Sequence, residues 1–204
     1  MPKRNHLEER RPKYTRRLNY FEPRQSFLIV CEGEKTEPNY FLRFPIPQDS
    51  VVVVKGIGAN TISLVREAIR LMSEKKYHQV WCVFDRDSFT AENFNLAIQV
   101  AETNGIKVAY SNEAFELWYV LHFDYLNSGI DRRQYIDRLN QLLGFRYQKN
   151  SIQMYDLIYS RQKDAIRNAR RLLSEYPNVS PLTNNPSTTV HLLVEQLNRL
   201  FWVE

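Results

Sequence analysis

The sequence is poor in the residues that build disulfide frameworks, zinc sites and phosphate-binding glycine loops. Its 204 residues include only 2 Cys, 6 Gly and 4 His. Cys31 and Cys82 lie in strand-like apolar runs, where a thiol packs as a small hydrophobe, and no Cys or His group has zinc-ligand spacing. No G-x-x-x-x-G-K-[ST] motif is present, so any step driven by NTP hydrolysis needs another protein. The composition therefore excludes a disulfide-stapled scaffold, a zinc module and a P-loop ATPase.

Long apolar runs are also absent. No stretch approaches the roughly 20 apolar residues that cross a bilayer, and no apolar segment of the signal-peptide type follows the N-terminus. We therefore expect no membrane partner and a cytoplasmic, reducing location. Because 43% of the residues are hydrophobic, the chain has enough apolar side chains for the core of one ordinary domain.

The positive charge is concentrated near the N-terminus. Of the 28 basic and 23 acidic side chains, residues 1–24 hold eight and three, which leaves 20 of each sign for the rest. Clustered cations gain from counterion release on phosphate backbones. We expect residues 1–25 to form a basic, partly disordered arm that binds nucleic acid, or else a solvated tail that only keeps the protein soluble. The candidate nucleic-acid-binding residues are Arg10, Arg11, Lys13, Arg16 and Arg17.

Strand and helix patterns alternate four times after this arm. Short β-branched and apolar runs predict buried strands at 27–31, 51–54, 80–84 and 106–110. The pattern predicts a single α/β domain over residues 26–204, with a mostly parallel four-stranded sheet flanked by helices in 26–112. Residues 113–204 are predicted to form a C-terminal helical extension.

Several capping residues mark where the predicted helices begin. Pro38 is expected in the first turn of a short helix over 38–44, with Glu37 as its cap. Asn60 is expected to cap a helix over about 61–75, and Thr90 the helix after the third strand. The extension should contain helices at 113–122, 131–143 and 161–175, and a last helix with Asn185 as N-cap and Pro186 at its first position.

Acidic residues follow the first and third predicted strands. Glu32 ends the first strand, and Asp85 and Asp87 end the third. The carboxyl ends of parallel strands form a common ligand-binding edge, so these carboxylates are expected to converge. Like charges repel unless a cation lies between them, and hard oxygen ligands suit Mg²⁺ or Mn²⁺ and hence phosphoryl chemistry. The alternative is that they are helix caps or solvated loop residues.

Two glutamates follow the fourth strand. Glu113 and Glu116 are three residues apart, which places them on one face of the predicted helix. Glu116 lies among aromatic and apolar residues, so we interpret it as a buried carboxylate paired with a metal, because an unpaired one would be costly. The alternative is a helix-dipole role for Glu113 and a salt bridge for Glu116. His122 is interpreted as a buried structural histidine.

Together these motifs resemble a known group of proteins. The sequence has a hydrophobic strand followed by Glu-Gly and, 53 residues after this Glu, a second strand followed by Asp-x-Asp. This pattern resembles the Toprim domain of topoisomerases, primases and OLD-type nucleases. The finer resemblance is to the RloB-like family, a Toprim-related group linked to bacterial abortive-infection and phage-defence loci. The segments that carry it are IVCEGEKTEPNYF (29–41), FDRD (84–87), SNEAFELWYVLHF (111–123) and NPSTTVHLLVEQL (185–197).

The resemblance implies roles for individual residues. Glu32 matches the Toprim glutamate, a metal ligand or general acid/base, and Asp85 and Asp87 match the DxD metal ligands. Glu37 matches a second glutamate that is a candidate ligand for a second metal. Lys35 lies where its charge would neutralise a phosphate or a leaving oxygen, unless it is a solvated loop lysine. Glu32, Lys35 and Asp85 are thus the candidate catalytic residues.

The resemblance also implies a function. We expect a Mg²⁺- or Mn²⁺-dependent nuclease in phage defence, with RNA, including tRNA, favoured over DNA by analogy alone. The expected partners are nucleic acid and an ATPase protein, and a homodimer is left open. One alternative is a non-catalytic nucleic-acid-binding or regulatory subunit of an ATPase-containing complex. Another is a phosphatase with Asp85 as nucleophile, which would leave Glu32 without a role.

Overall fold

The computed structural model describes residues 24–86, 91–177, 180 and 182–200. Five strands are present in this part of the chain: β1 (Gln25–Cys31), β2 (Ser50–Gly56), β3 (Gln79–Arg86), β4 (Lys107–Asn112) and β5 (Ser187–Thr188). The α-helices of the same residues are α1 (Thr36–Phe41), α2 (Thr61–Glu74), α3 (Ala91–Thr103), α4 (Glu116–Val120), α5 (Arg132–Leu143), α6 (Met154–Ile158), α7 (Gln162–Ser174) and α8 (Val190–Asn198). None of them combines the length and apolar composition that crossing a membrane requires.

The strands form one sheet in the order β2-β1-β3-β4-β5. The first four are mutually parallel, and β5 pairs antiparallel with β4. The predicted α/β class with a mostly parallel sheet is confirmed, although the sheet has five strands and not four. The chain runs from β1 to β2 on one side and then crosses to β3 on the other side. In such sheets this reversal opens a ligand-binding crevice at the carboxyl ends of the strands, here between β1 and β3.

Both faces of the sheet are covered, which explains why β1 is apolar from Phe27 to Cys31. Successive side chains of a strand point to opposite faces. Leu28 and Val30 pack in one cluster with residues of α2 and α3. Phe27, Ile29 and Cys31 pack in a second cluster with residues of α1, α4, α5, α7 and α8. Cys31 and Cys82 are both buried free thiols, as the prediction of small hydrophobes requires.

Local capping fixes the ends of two helices near the crevice. The Asn60 side chain accepts a hydrogen bond from the Ser63 amide at 3.0 Å, which confirms the predicted start of α2. Asp131 begins α5 with a reciprocal capping box to Gln134. Gly144 ends α5 with a φ of 73°, in the left-handed region that glycine adopts without a Cβ penalty.

Three predicted helix starts are wrong. The first helix begins at Thr36, so Glu37 lies inside its first turn and does not cap it. The fourth begins at Glu116 and spans only five residues, which leaves Glu113 before it. The last begins at Val190 and not at Pro186, because Ser187 and Thr188 are extended and pair with β4. The predicted cap Thr90 lies outside the described residues.

Candidate active site

Glu32 and Asp85 meet at the carboxyl edge of two adjacent strands. The Glu32 amide donates to the Val83 carbonyl at 2.9 Å, which extends the pairing of β1 with β3 beyond Cys31. The Glu32 carboxylate atom Oε2 then accepts from the Asp85 amide at 3.2 Å. The strand topology therefore brings together the two carboxylates that the sequence separates by 53 residues.

Glu37 adds a buried carboxylate beside them. Only 6% of the residue is exposed, and its Oε2 atom has no hydrogen-bond partner. A Cβ at Gly33 would lie 2.1 Å from this oxygen, so a larger residue at position 33 would force the carboxylate out of its present position. The Glu-Gly turn thus does more than change the direction of the chain, because it makes space for a third acidic group.

Glu32, Glu37 and Asp85 line a common cavity, which we call the carboxylate pocket. It measures about 170 Å³, and its other lining residues are Gly33, Gly58, Ala59, Arg132 and Lys149. The guanidinium of Arg132, from the start of α5, lies 3.5 Å from Asp85 Oδ2 and 3.3 Å from the Glu113 carbonyl oxygen. Sequence patterns identified neither Arg132 nor Lys149, because both come from the region interpreted only as a helical extension.

The crowding of acidic groups changes their proton affinity. Burial raises the pKa of Asp85 well above its usual value, and the charges of Glu37 and Glu116, and to a lesser extent Glu32, raise it further. Arg132 opposes this effect. Burial also raises the pKa of Glu37, as does Glu116, while Lys149 and Arg132 lower it. The pocket therefore disfavours simultaneous ionisation of its carboxyl groups, and its two basic residues oppose this effect only in part.

Glu116 lies close to the pocket without lining it. It is 2% exposed, as the sequence predicted, and its Oε1 atom accepts a hydrogen bond from the Tyr147 hydroxyl at 3.1 Å. Burial and the charge of Glu116 raise the pKa of Tyr147, so the hydroxyl stays protonated and remains a donor. One carboxylate oxygen of Glu116 is thus bonded to a tyrosine, and its role as a metal ligand stays a prediction.

A second cavity adjoins the first, and we call it the lysine pocket. It measures about 310 Å³ and shares Gly33, Glu37 and Lys149 with the carboxylate pocket. Its remaining lining residues are Glu34, Lys35, Thr36 and Asn150. The predicted catalytic residue Lys35 is therefore exposed beside the carboxylates and does not lie among them.

Other predicted site residues lie elsewhere. Within the residues that the structure describes, no three His, Cys, Asp or Glu side chains form a group that could hold a metal ion by themselves. Asp87, the second aspartate of the DxD motif, lies outside those residues, as do the arm residues Arg10, Arg11, Lys13, Arg16 and Arg17. His122 is 1% exposed, and its Nδ1 atom lies 2.8 Å from the Trp118 carbonyl oxygen. Burial lowers the pKa of His122 to about 4, consistent with the predicted structural role.

Comparison with known proteins places the chain in a family. No curated protein matches it, and no solved structure does. The model of the RloB-like protein family matches residues 27–197, which run from within β1 to near the end of α8 and include every lining residue of the carboxylate pocket. This match covers most of the chain and all four segments on which the sequence resemblance depends. The chain belongs to the RloB-like protein family.

Proposed function

We propose that this protein is a nuclease that hydrolyses phosphodiester bonds with the help of Mg²⁺ or Mn²⁺. One observation carries the proposal: Glu32 and Asp85, from adjacent parallel strands, share a pocket with the buried Glu37, whose Oε2 atom has no partner. Three acidic groups at a crevice of this kind are costly to the fold and useful for binding a cation.

The chemistry of the pocket suits a divalent cation, but the carboxylates of the described residues do not complete a three-ligand group by themselves, so a further ligand such as Asp87 would complete it. All three carboxylates offer the hard oxygen ligands that Mg²⁺ and Mn²⁺ prefer. A cation would also relieve the repulsion that raises the pKa of Asp85. Glu32, Asp85 and Glu37 would hold it, and Asp87 and Glu116 are further candidate ligands from the sequence. When bound, such an ion polarises the phosphoryl group and lowers the pKa of a bound water.

The protein's own cations suit the substrate. Arg132 is held at the pocket wall by Asp85 and the Glu113 carbonyl, so its guanidinium is oriented before a ligand arrives. A guanidinium in this position donates to non-bridging phosphate oxygens and stabilises the charge that develops on them. Lys35 lines the lysine pocket, and its proposed role is to neutralise the leaving oxygen. Glu32 is the proposed general acid/base of the reaction.

The biological setting is a further part of the proposal. Membership of the RloB-like family supports a role in phage defence or abortive infection, with RNA or tRNA favoured over DNA. The basic arm at 1–25 would follow the nucleic-acid backbone. We propose an ATPase partner for any step that needs NTP hydrolysis, since the sequence has no P-loop motif.

One observation favours a second function, that of a non-catalytic nucleic-acid-binding or regulatory subunit. Arg132 already lies against Asp85, and no three-ligand metal group is complete among the described residues. In that case Arg132 would replace the metal as a permanent counterion, and the chain would bind nucleic acid without cutting it.

A cleavage assay separates the two functions. Total RNA and plasmid DNA are incubated with the wild type, Glu32→Gln and Asp85→Asn across a Mg²⁺ and Mn²⁺ titration. The nuclease should cut only with metal, and Glu32→Gln should lose about 10²–10⁴-fold in rate, as expected for a general acid/base. Asp124→Asn, which alters a surface ion pair with Arg138, is the matched control and should cut like the wild type. Binding without cleavage at any metal concentration would favour the non-catalytic function.

A further inference from the structure

The segment between α5 and α6, residues 144–153, supplies a cation that sequence patterns did not identify. Lys149 is exposed and lines both the carboxylate pocket and the lysine pocket. We propose that Lys149 binds a phosphate of the nucleic acid next to the one that is hydrolysed, so that the lysine pocket is the subsite for the neighbouring nucleotide. This inference rests on the proposed nuclease function.

The segment is anchored on the N-terminal side of Lys149 by Tyr147. The Tyr147 hydroxyl donates to Glu116, and its amide donates to the Asn140 side-chain oxygen at 2.6 Å. The first bond ties the segment to the buried glutamate beside the carboxylate pocket. The second ties it to the last turn of α5.

Asn150 anchors the segment on the C-terminal side. The Asn150 carbonyl accepts from the Asn39 amide group at 2.8 Å, and its Oδ1 accepts from Thr36 Oγ1 at 3.0 Å. Asn150 adopts a φ of 76°, a left-handed conformation that Asn tolerates better than most residues. Two anchors therefore hold the backbone on either side of Lys149, while its long side chain stays in solvent.

Lys149 faces the site. Together with Gly33 and Glu37 it forms the part of the wall that the two pockets share. Among the residues that the structure describes, Lys149 forms no ion pair with a carboxylate. A ligand phosphate would supply the oxygen partner that the ammonium does not find there.

The chemistry of lysine indicates which part of the ligand it recognises. A lysine ammonium is a compact charge with three donors on a flexible stem, which suits a phosphate oxygen and gives no planar match to a base edge. The lysine pocket is also larger than the carboxylate pocket, at about 310 Å³ against 170 Å³. Binding at Lys149 should therefore strengthen affinity without adding sequence specificity.

Equilibrium binding tests the subsite. A fluorescein-labelled single-stranded RNA is titrated with the full-length wild type and variants in Ca²⁺, over a series of KCl concentrations. Lys149→Met should weaken binding about fivefold at 0.1 M salt and reduce the slope of log K against log salt by about 0.7, the value for one phosphate contact on a single strand. Lys149→Arg should keep the wild-type slope.

The matched control is Lys76→Met, which removes an exposed lysine just before β3. This lysine lies near the amino end of β3, whereas the pockets lie at the carboxyl ends of the strands. If Lys149→Met has the same affinity and slope as Lys76→Met, the subsite is refuted. A Lys149-specific loss of slope, together with no cleavage by the wild type in Mg²⁺, would refute hydrolysis and leave the subsite standing. The titration is repeated with a single-stranded DNA of the same length. A wild type that binds neither the RNA nor the DNA would also refute the subsite.

Discussion

The acidic groups of the carboxylate pocket should make the metal-free protein less stable as the pH rises. The pKa of Asp85 is raised by burial and then by Glu37 and Glu116, so the folded chain binds this proton more tightly than the unfolded chain, in which the pKa is near 3.8. The stability gained from protonation is therefore complete below that value and is lost as the pH rises through the raised pKa of the folded state. Asp85→Asn should remove this loss.

The size of the effect follows from linkage. Each tenfold increase in proton affinity on folding corresponds to about 1.4 kcal/mol. Asp85 keeps 16% of its side chain exposed, and its ion pair with Arg132, lost in the variant, is worth about 0–1 kcal/mol. A net gain of about 1 kcal/mol at pH 8 would raise Tm by about 2–4 °C in a domain of this size. The gain should shrink as the pH falls toward 4 and vanish only well below the unfolded value of 3.8, where Asp85 is protonated in both states.

Thermal unfolding followed by circular dichroism, with EDTA present and between pH 4 and pH 8, measures this difference. Asp124→Asn is the control for loss of an arginine partner, because Asp124 also pairs with an arginine but is 39% exposed, so its Tm should stay close to that of the wild type. Without EDTA, Mg²⁺ at tenfold its Kd should stabilise the wild type by about 1.4 kcal/mol and the Asp85→Asn variant much less. A variant that is destabilised equally at both pH values would refute the argument and make Asp85 a simple partner of Arg132.

Three further substitutions test parts of the structure around the site. Tyr147→Phe leaves the buried Glu116 without its hydrogen-bond donor and should lower the free energy of unfolding in urea by about 1–3 kcal/mol. Adding Glu116→Gln, which removes the buried carboxyl group, should recover part of this loss. Gly33→Ala places a methyl group against Glu37 Oε2 and should lower the free energy of unfolding by about 1–3 kcal/mol. A double variant that also carries Glu37→Ala should recover most of this loss of stability. Asn60→Ala removes the N-cap of α2 and should lower the free energy of unfolding by about 1 kcal/mol while leaving metal-dependent cleavage unchanged. A loss of cleavage in this variant would mean that the start of α2 belongs to the site.

The sheet could be predicted because the burial of its strands is evident from the residues of each strand alone. In β1, every residue from Ser26 to Cys31 is buried, and the apolar run alone identifies a strand covered on both faces. The starts of α2 and α5 were likewise predictable, since Asn60 and Asp131 satisfy backbone donors only three residues away. Interactions of short range leave a clear pattern in the sequence.

The end of the chain was mispredicted because its interactions are of long range. Asn185 and Pro186 form a good local start for a helix, but Thr188 instead bonds across 77 residues to Ser111, hydroxyl to hydroxyl at 2.9 Å. The Thr189 amide also donates to the Tyr110 carbonyl at 2.9 Å. Pairing with β4 thus outweighs the local preference for a helix, and neither Ser187 nor Thr188 carries an apolar signal of a strand.

The same distinction applies to the site. Glu32 and Asp85 were predictable as neighbours because strand order alone brings the carboxyl ends of β1 and β3 together. Arg132 was not, since its position depends on how α5 packs, 47 residues after Asp85. The polar stretch that includes Lys149 and Asn150 has no periodic pattern. The contact of Asn150 with Thr36, 114 residues away, therefore could not be predicted from the sequence.

The arrangement of charges leads us to propose that the cation and the phosphate bind together. A phosphate alone would meet the repulsion of Asp85 and of Glu32 and Glu37, which already oppose the ionisation of Asp85. A cation alone would satisfy these carboxylates but would meet Arg132 and Lys149 on the same walls. A cation bound to a phosphate oxygen complements both sets of residues, so each should raise the affinity for the other by the same factor. We therefore propose that the two adjoining pockets form one site for a metal-bound phosphodiester, in which the acidic side would hold the ion and the basic side would hold the strand.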